Sequence, residues 1–101
     1  VGVELTVEDA TKSAKVCGLN IIAQLKAACD GNLDRVRRCV KIGVFVNCID
    51  GFTQQPQIAN GVSDLMVEVF GEAGRHARFA IGTNALPRNC ATEADAVFEL
   101  S

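Results

Sequence analysis

The chain has 101 residues, a formal net charge of −2 and a hydrophobic fraction of 49%. This length suits one domain with a true hydrophobic core, but a domain this small buries only about 60–70% of its unfolded surface, so association with other chains would add stability. The small net charge, with no continuous run of Lys and Arg, argues against a nucleic-acid surface. Five Phe residues without Trp or Tyr also offer little for stacking on bases.

The cysteines and the single histidine, His76, do not form a recognisable metal motif. There are five cysteines, an odd number, and no CxxC pair occurs. This pattern favours reduced, mostly buried thiols in a reducing compartment rather than a Cys/His zinc site. No apolar run approaches the roughly 20 residues of a membrane span, and no signal peptide is visible. We therefore expect a cytoplasmic protein, or a mitochondrial one in a eukaryote, with no cofactor, no metal and no nucleic-acid or membrane partner.

The first predicted element is a helix that begins after Thr6. Thr6 and Asp9 have the spacing of a capping box, and the acidic pair Glu8 and Asp9 suits the positive end of a helix. Asp30-Gly31-Asn32 supplies a helix-ending sequence. Apolar side chains at helical spacing predict a buried face formed by Ala10, Ala14, Cys17, Ile21, Leu25 and Ala28.

Residues 36–47 alternate with a period of two and predict a long strand. One predicted face is strongly apolar and holds Val36, Arg38, Val40, Ile42, Val44 and Val46. The opposite face holds Arg37, Cys39, Lys41, Gly43, Phe45 and Asn47. Asp50-Gly51 then breaks the strand pattern.

The second half of the chain predicts one more helix and two more strands. Pro56 precedes the helix, which ends near Phe70-Gly71. Residues 77–83 and 90–100 read as strands joined by a turn at 84–87. The order helix, strand, helix, strand, strand predicts an α+β fold with an antiparallel sheet and two helices on one face.

A hairpin closed at 84–87 would place Arg78 directly opposite Glu93 on one face of the sheet. Ala80 and Gly82 would share this face, and the apolar residues of both strands would lie under the helices. One interpretation is a solvated cross-strand ion pair worth about 0.2–1 kcal/mol. The other is a small anion pocket, in which Arg78 binds a carboxylate and Glu93 orients or deprotonates a water.

Two further residues near this pair have open interpretations. His76 lies two positions before Arg78 and would share its face, either as a ligand contact or as a surface or interface residue. Asp95 shares the strand face of Glu93, so it either perturbs the titration of that carboxylate or contacts another subunit.

The stretches HARFAIGTNALP and ATEADAVFEL resemble the C-terminal signature of the Rid/YjgF family, the reactive-intermediate (enamine/imine) deaminases. Three features match in step: Ala77-Arg78 at the start of a strand, Leu86-Pro87 in the turn, and Glu93 on the return strand. Upstream, NLDRVRRCVKIGVFVNCIDGF and DLMVEVF resemble the family's long strand and second helix. The GF, QP and NG.SDL elements are closer to a YjgF-like subgroup described as translation inhibitors or L-PSP-type endoribonucleases.

The resemblance implies a chorismate-mutase-like fold over one domain, residues 1–101, and homotrimers whose inward-facing sheets make a barrel-like centre. It implies ligand sites between subunits, where Arg78 binds the carboxylate of a 2-imino or 2-keto acid. Glu93 would be the catalytic residue that places the water attacking the C=N carbon, with release of ammonia and a 2-keto acid. Ala80, through its main chain, and Ser63, at the position of a pocket Asn in deaminases, would be further substrate-binding residues.

Three departures from the family pattern leave several functions open. Ala80 stands where deaminase-type members often carry Cys, Ser63 stands where they carry a pocket Asn, and the family's N-terminal β-hairpin is not seen in this sequence. The candidate functions are an enamine/imine deaminase and a non-catalytic trimer that binds a small carboxylate or a protein partner. An endoribonuclease or translation inhibitor is a poorer candidate, because the sequence shows neither a pair of histidines nor a basic groove.

Overall fold

Within residues 1–2 and 5–101, which the computed structural model describes, the fold consists of two α-helices and three β-strands. Short 3-10 turns lie at Leu33–Arg35, Gly71–Gly74 and Pro87–Asn89. The α+β class is therefore confirmed. In chain order the elements are α1 (Val7–Ala28), β1 (Val36–Asn47), α2 (Gln55–Phe70), β2 (Ala77–Thr83) and β3 (Thr92–Leu100).

The helices form for the local reasons that the sequence indicated. Thr6 caps α1, and its side-chain oxygen accepts a hydrogen bond from the backbone N–H of Asp9 at 3.0 Å. In α2, Pro56 occupies the first turn, where no backbone donor is needed. The two helices pack so closely at Gly61 that a Cβ there would overlap the carbonyl oxygen of Thr11. A Cβ on Gly18 would lie 2.9 Å from the Leu65 side chain, so both glycines permit close packing.

The sheet is mixed, with strand order β2-β1-β3. β1 pairs in parallel with β2 and antiparallel with β3. The predicted antiparallel sheet with a β2–β3 hairpin is therefore wrong. The residues between these two strands do not form a tight turn. They include a 3-10 turn with Arg88 and Asn89 at φ of 57° and 56°, and the connection carries the chain past β1 to its other side.

The central position of β1 follows from its composition. Ile42, Val44 and Val46 are fully buried, and a central strand buries more apolar surface than an edge strand. A strand followed by a helix and a second strand is also the sequence order of a parallel crossover unit. The most apolar strand, β1, therefore lies at the centre of the sheet, and the two shorter strands lie at its edges.

The pairing of β1 with β3 is irregular between Cys39 and Lys41. This irregularity turns Cys39 towards the helices, where it is 1% exposed and packs in the core. The predicted placement of Cys39 on the face opposite Ile42 is therefore wrong. Burial raises the pKa of the Cys39 thiol from its ordinary value of 9.0.

The core lies between the helices and one face of the sheet. Its buried members from α2 include Ile58, Val62 and Met66, which pack against β1. The opposite face has no helix among the described residues, and Ile81 and Val97 there are 48% and 55% exposed. The prediction of two helices on one face is thus confirmed.

The cysteines are less buried than the sequence suggested. Cys29 and Cys39 are buried, Cys17 and Cys48 are partly exposed, and Cys90 is exposed; all five are free thiols. The expectation of mostly buried thiols therefore holds for two of the five. Among the described residues, no helix combines the length and the apolar character needed to cross a membrane.

Candidate functional site

Arg78 lies on the edge strand β2, level with Ile42 of β1. Partners in a parallel pair share a face of the sheet, so Arg78 and Ala80 lie on the side that the helices cover. Phe79 and Ile81 lie on the open side. The predicted assignment was the reverse, and it is wrong because the pairing partner of β2 is β1 rather than β3.

The guanidinium of Arg78 is held by three acceptors on α2. Nη1 donates to Asn60 Oδ1 at 2.7 Å and to Ser63 Oγ at 3.1 Å. Nη2 donates to the main-chain oxygen of Pro56 at 3.3 Å. Asn60 and Ser63 are three residues apart and therefore lie on one face of the helix. The crossover helix thus fixes the direction of a side chain carried by the following strand.

These contacts orient Arg78 without neutralising it. All three acceptors are uncharged, and none of the ion pairs formed by the described residues includes Arg78. Nη2 donates to one described residue although it carries two hydrogens, and Nε donates to none of the described residues. In a guanidinium, Nε–H and the neighbouring N–H of Nη2 form a fork that can bind a carboxylate through two parallel hydrogen bonds.

The network continues from Ser63 to His76. Ser63 Oγ lies 2.9 Å from His76 Nε2, and His76 Nδ1 lies 2.6 Å from the main-chain oxygen of Gly74. Because a carbonyl oxygen only accepts, the hydrogen-bond network assigns the imidazole proton to Nδ1. In the neutral ring Nε2 is then an acceptor, so the Ser63 hydroxyl donates to it and offers its lone pairs to Arg78.

Glu93 does not lie near Arg78 in one chain. It lies on β3, at the other edge of the sheet, level with Phe45 and on the open side. Two strand spacings separate β2 from β3, about 10 Å, and the two residues also differ by three positions along the strands, about 10 Å more. The predicted cross-strand pairing of Arg78 with Glu93 is therefore wrong. Within one chain, Arg78 and Glu93 therefore do not share a site.

The predicted site residues thus divide into two groups. Arg78 and Ser63 are joined directly, and Ala80 follows Arg78 on the same side of β2, paired with Val44 and packed against the core. Glu93 stands apart. The open face of the sheet carries Glu93 together with Asp95, as the strand pattern predicted.

Two contributors were missed from the sequence. Asn60 makes the shortest hydrogen bond to Arg78, and His76 was not linked to Ser63. The spacing of Asn60 and Ser63 was a usable signal, since two polar residues three positions apart share a helix face. The contact of Arg78 with Asn60 and Ser63 depends on β2 lying beside α2, which local spacing does not reveal.

A concave surface lies elsewhere on the molecule. A groove of about 620 Å³ runs between α1 and the outer edge of β3, with a mainly apolar lining and with Glu93 and Arg88 among its polar residues. Arg78 does not line it. Within the described part of the chain, no three His, Cys, Asp or Glu residues are grouped so as to hold a metal ion.

The comparison with known families agrees with this fold. A family model described as "YjgF/chorismate_mutase-like, putative endoribonuclease" matches residues 1–99. The chain belongs to the YjgF family. The predicted family and its chorismate-mutase-like fold are thereby confirmed.

Individual YjgF-family relatives show the same likeness. The chain is 49% identical over 102 residues to "Protein TCP17" of Trypanosoma cruzi, covering 100% of this chain and 63% of that protein. It superposes with a TM-score of 0.98 on Agrobacterium tumefaciens Atu1372, a protein of unknown function, at 42% identity over 100% of this chain and 64% of the other. A Shewanella oneidensis protein described as a "putative endoribonuclease" gives a TM-score of 0.93 at 34% identity, over 98% of this chain and 65% of that chain. The chain therefore spans less than two thirds of the length of these relatives.

Proposed function

We propose that this YjgF-family protein binds the carboxylate of a small 2-imino or 2-keto acid through Arg78, in a cleft completed by a second copy of the chain. The observation that carries the proposal is the state of the Arg78 guanidinium. Three neutral acceptors orient it, and no ion pair among the described residues involves it. An oriented but uncompensated arginine favours a bidentate anion.

The position of Glu93 supports the involvement of a second copy. In one chain Arg78 and Glu93 lie on opposite faces and opposite edges of the sheet. The open face also exposes apolar side chains, including Ile81 and Val97 at 48% and 55% exposure. A homotrimer with these open faces turned inward would cover that apolar surface, and Glu93 of one copy would meet Arg78 of the next across the exposed edge of β2.

The proposed reaction is hydrolysis of the C=N bond of a 2-imino acid. Water adds to the imine carbon, and Glu93 accepts a proton from that water and delivers it to the nitrogen. Glu93 then passes the hydroxyl proton of the resulting carbinolamine to its amino group, the C–N bond breaks with release of ammonia, and the C–O bond becomes the carbonyl of a 2-keto acid. Arg78 stays bound to the carboxylate throughout and holds the reacting carbon in place.

A second candidate is a binding protein without turnover, and Ala80 is the observation that favours it. A methyl group stands two residues after Arg78 on the same side of β2, so this position offers neither a thiol nor a polar group to the ligand. In this alternative the same Arg78 fork retains a 2-keto acid that is not processed.

The test compares Arg78→Ala with Arg75→Ala. Arg75 is an exposed arginine whose Nε lies 3.2 Å from a Glu72 carboxylate oxygen, so its removal controls for loss of one positive charge. Ammonia release from freshly generated 2-aminoacrylate is measured for each purified protein. Calorimetry measures pyruvate binding, and light scattering measures assembly. We expect Arg75→Ala to release ammonia like the wild type, and Arg78→Ala to lose both activity and pyruvate binding while its assembly is unchanged.

Other outcomes select among the candidate functions. Pyruvate binding without ammonia release in the wild type supports the binding protein. Full activity and full pyruvate binding in Arg78→Ala overturn the carboxylate site. Ribonuclease activity that persists through repeated purification and is lost in His76→Ala would instead favour the endoribonuclease.

A further inference from the structure

We propose that His76 is a positioning residue for Arg78 and acts on it through the hydroxyl of Ser63. The inference rests on the proposed carboxylate site and assigns to that site a residue that does not touch the ligand. Three consecutive hydrogen bonds define the path, from Arg78 Nη1 to Ser63 Oγ at 3.1 Å, from Ser63 Oγ to His76 Nε2 at 2.9 Å, and from His76 Nδ1 to Gly74 O at 2.6 Å.

The Ser63 hydroxyl is the variable part of this path. A serine inside a helix can donate its single proton to the carbonyl four residues earlier, which for Ser63 is that of Ala59. Donation to His76 Nε2 competes with that alternative and holds Oγ where it accepts from Arg78. Without an acceptor at position 76, the hydroxyl is free to rotate and Arg78 loses one of its three fixed contacts.

His76 is itself held in place by the backbone. Gly74 ends a 3-10 turn that packs on the last turns of α2, where a Cβ on Gly74 would overlap the carbonyl oxygen of Met66. This close approach fixes the Gly74 carbonyl, which accepts from His76 Nδ1. The imidazole therefore bridges the end of α2 and the start of β2, and its Nε2 faces Ser63.

The expected effect is an indirect loss of carboxylate affinity. A net hydrogen bond is worth about 0.5–1.5 kcal/mol, so loss of the His76–Ser63 bond should weaken pyruvate binding by roughly twofold to twelvefold. His76→Gln places an amide oxygen near the position of Nε2 and should restore binding to within about twofold. A residue with a purely packing role would not be rescued in this way.

A double-mutant cycle tests the path. Pyruvate affinity is measured by calorimetry for the wild type, His76→Leu, Ser63→Ala and the His76→Leu/Ser63→Ala pair, with His76→Gln as the conservative variant. Because His76 acts through Ser63, the double variant should bind no more weakly than Ser63→Ala alone. If His76→Leu does not fold, His76→Asn replaces it, since the shorter amide keeps a donor for the Gly74 carbonyl and does not reach Ser63.

The outcomes separate the inference from the proposed function. Two results would overturn the role of His76 and leave the carboxylate site intact. One is that the losses of pyruvate affinity seen in the two single variants multiply in the double variant. The other is wild-type pyruvate affinity in His76→Leu when Arg78→Ala has lost binding. Failure of His76→Gln to rescue would also overturn it. Unchanged binding in Arg78→Ala would instead overturn the carboxylate site itself.

Discussion

Changing Asn60 to Asp should weaken carboxylate binding while leaving the fold slightly more stable. Asn60 Oδ1 lies 2.7 Å from Arg78 Nη1, and Asp would place a charged oxygen at the same point with almost no change in shape. The new ion pair at the surface should stabilise the protein by about 0.2–1 kcal/mol. The same carboxylate would repel a ligand carboxylate bound to the opposite fork of the guanidinium.

The size of the repulsion follows from the geometry of the guanidinium. Two carboxylates on different edges of one arginine lie about 7 Å apart, which corresponds to about 0.6–2.4 kcal/mol for effective dielectric constants between about 80 and 20. Pyruvate affinity should therefore fall by roughly threefold to fiftyfold, and the loss should shrink as salt is added.

The assay is calorimetric titration of pyruvate into Asn60→Asp at low and high salt, with thermal unfolding measured in parallel. Asn20→Asp provides the control, because it makes the same charge change at an exposed position of α1, away from Arg78. The control should bind pyruvate like the wild type. Equal or tighter pyruvate binding by Asn60→Asp would refute the assignment of Arg78 as the carboxylate contact.

Further predictions concern stability and thiol reactivity. Gly61→Ala should destabilise the fold by about 1–3 kcal/mol in denaturant titration, although alanine favours a helix, because the added Cβ would overlap the Thr11 carbonyl; a stabilised variant would contradict this packing. Ile42→Ala, at a fully buried position, should lower the free energy of unfolding by about 2–5 kcal/mol, and an effect no larger than a surface change would refute its core role. In a thiol-modification assay the exposed Cys90 should react quickly and the buried Cys39 only on unfolding. Burial raises the pKa of the Cys39 thiol. The protonated thiol therefore contributes its full stabilisation below the ordinary thiol pKa, and this contribution is lost as pH rises through the pKa of Cys39 in the folded protein. Cys39→Val should accordingly flatten the alkaline part of the stability–pH curve.

Features that depend on neighbouring residues were predictable from the sequence. The start of α1 at Thr6, the strand boundaries at 77–83 and the alternation within β3 all depend on local spacing and capping chemistry. The bounds of these elements therefore agree closely with the prediction, apart from a slightly later start of β3.

The order of the strands was not predicted, because pairing depends on residues far apart in the chain. The turn-forming residues at 84–87 suggested a hairpin, and this choice placed Arg78 opposite Glu93. The competing signal was the parallel crossover implied by β1, α2 and β2 in succession, together with the apolar character of β1. Once that order is known, Arg78 must lie beside α2, and Asn60 becomes a natural partner.

None of the described strands is joined to its sheet neighbour by a hairpin, and this has a consequence for folding kinetics. β1 pairs with β2 only after the chain has passed through α2, and with β3 only after a further connection. Each pairing must first overcome the entropy of closing a long loop, so the sheet should form late and comparatively slowly. Arg78 meets its three acceptors only when β2 has docked beside α2. The anion-binding fork is therefore expected to be among the last parts of the chain to acquire its native geometry.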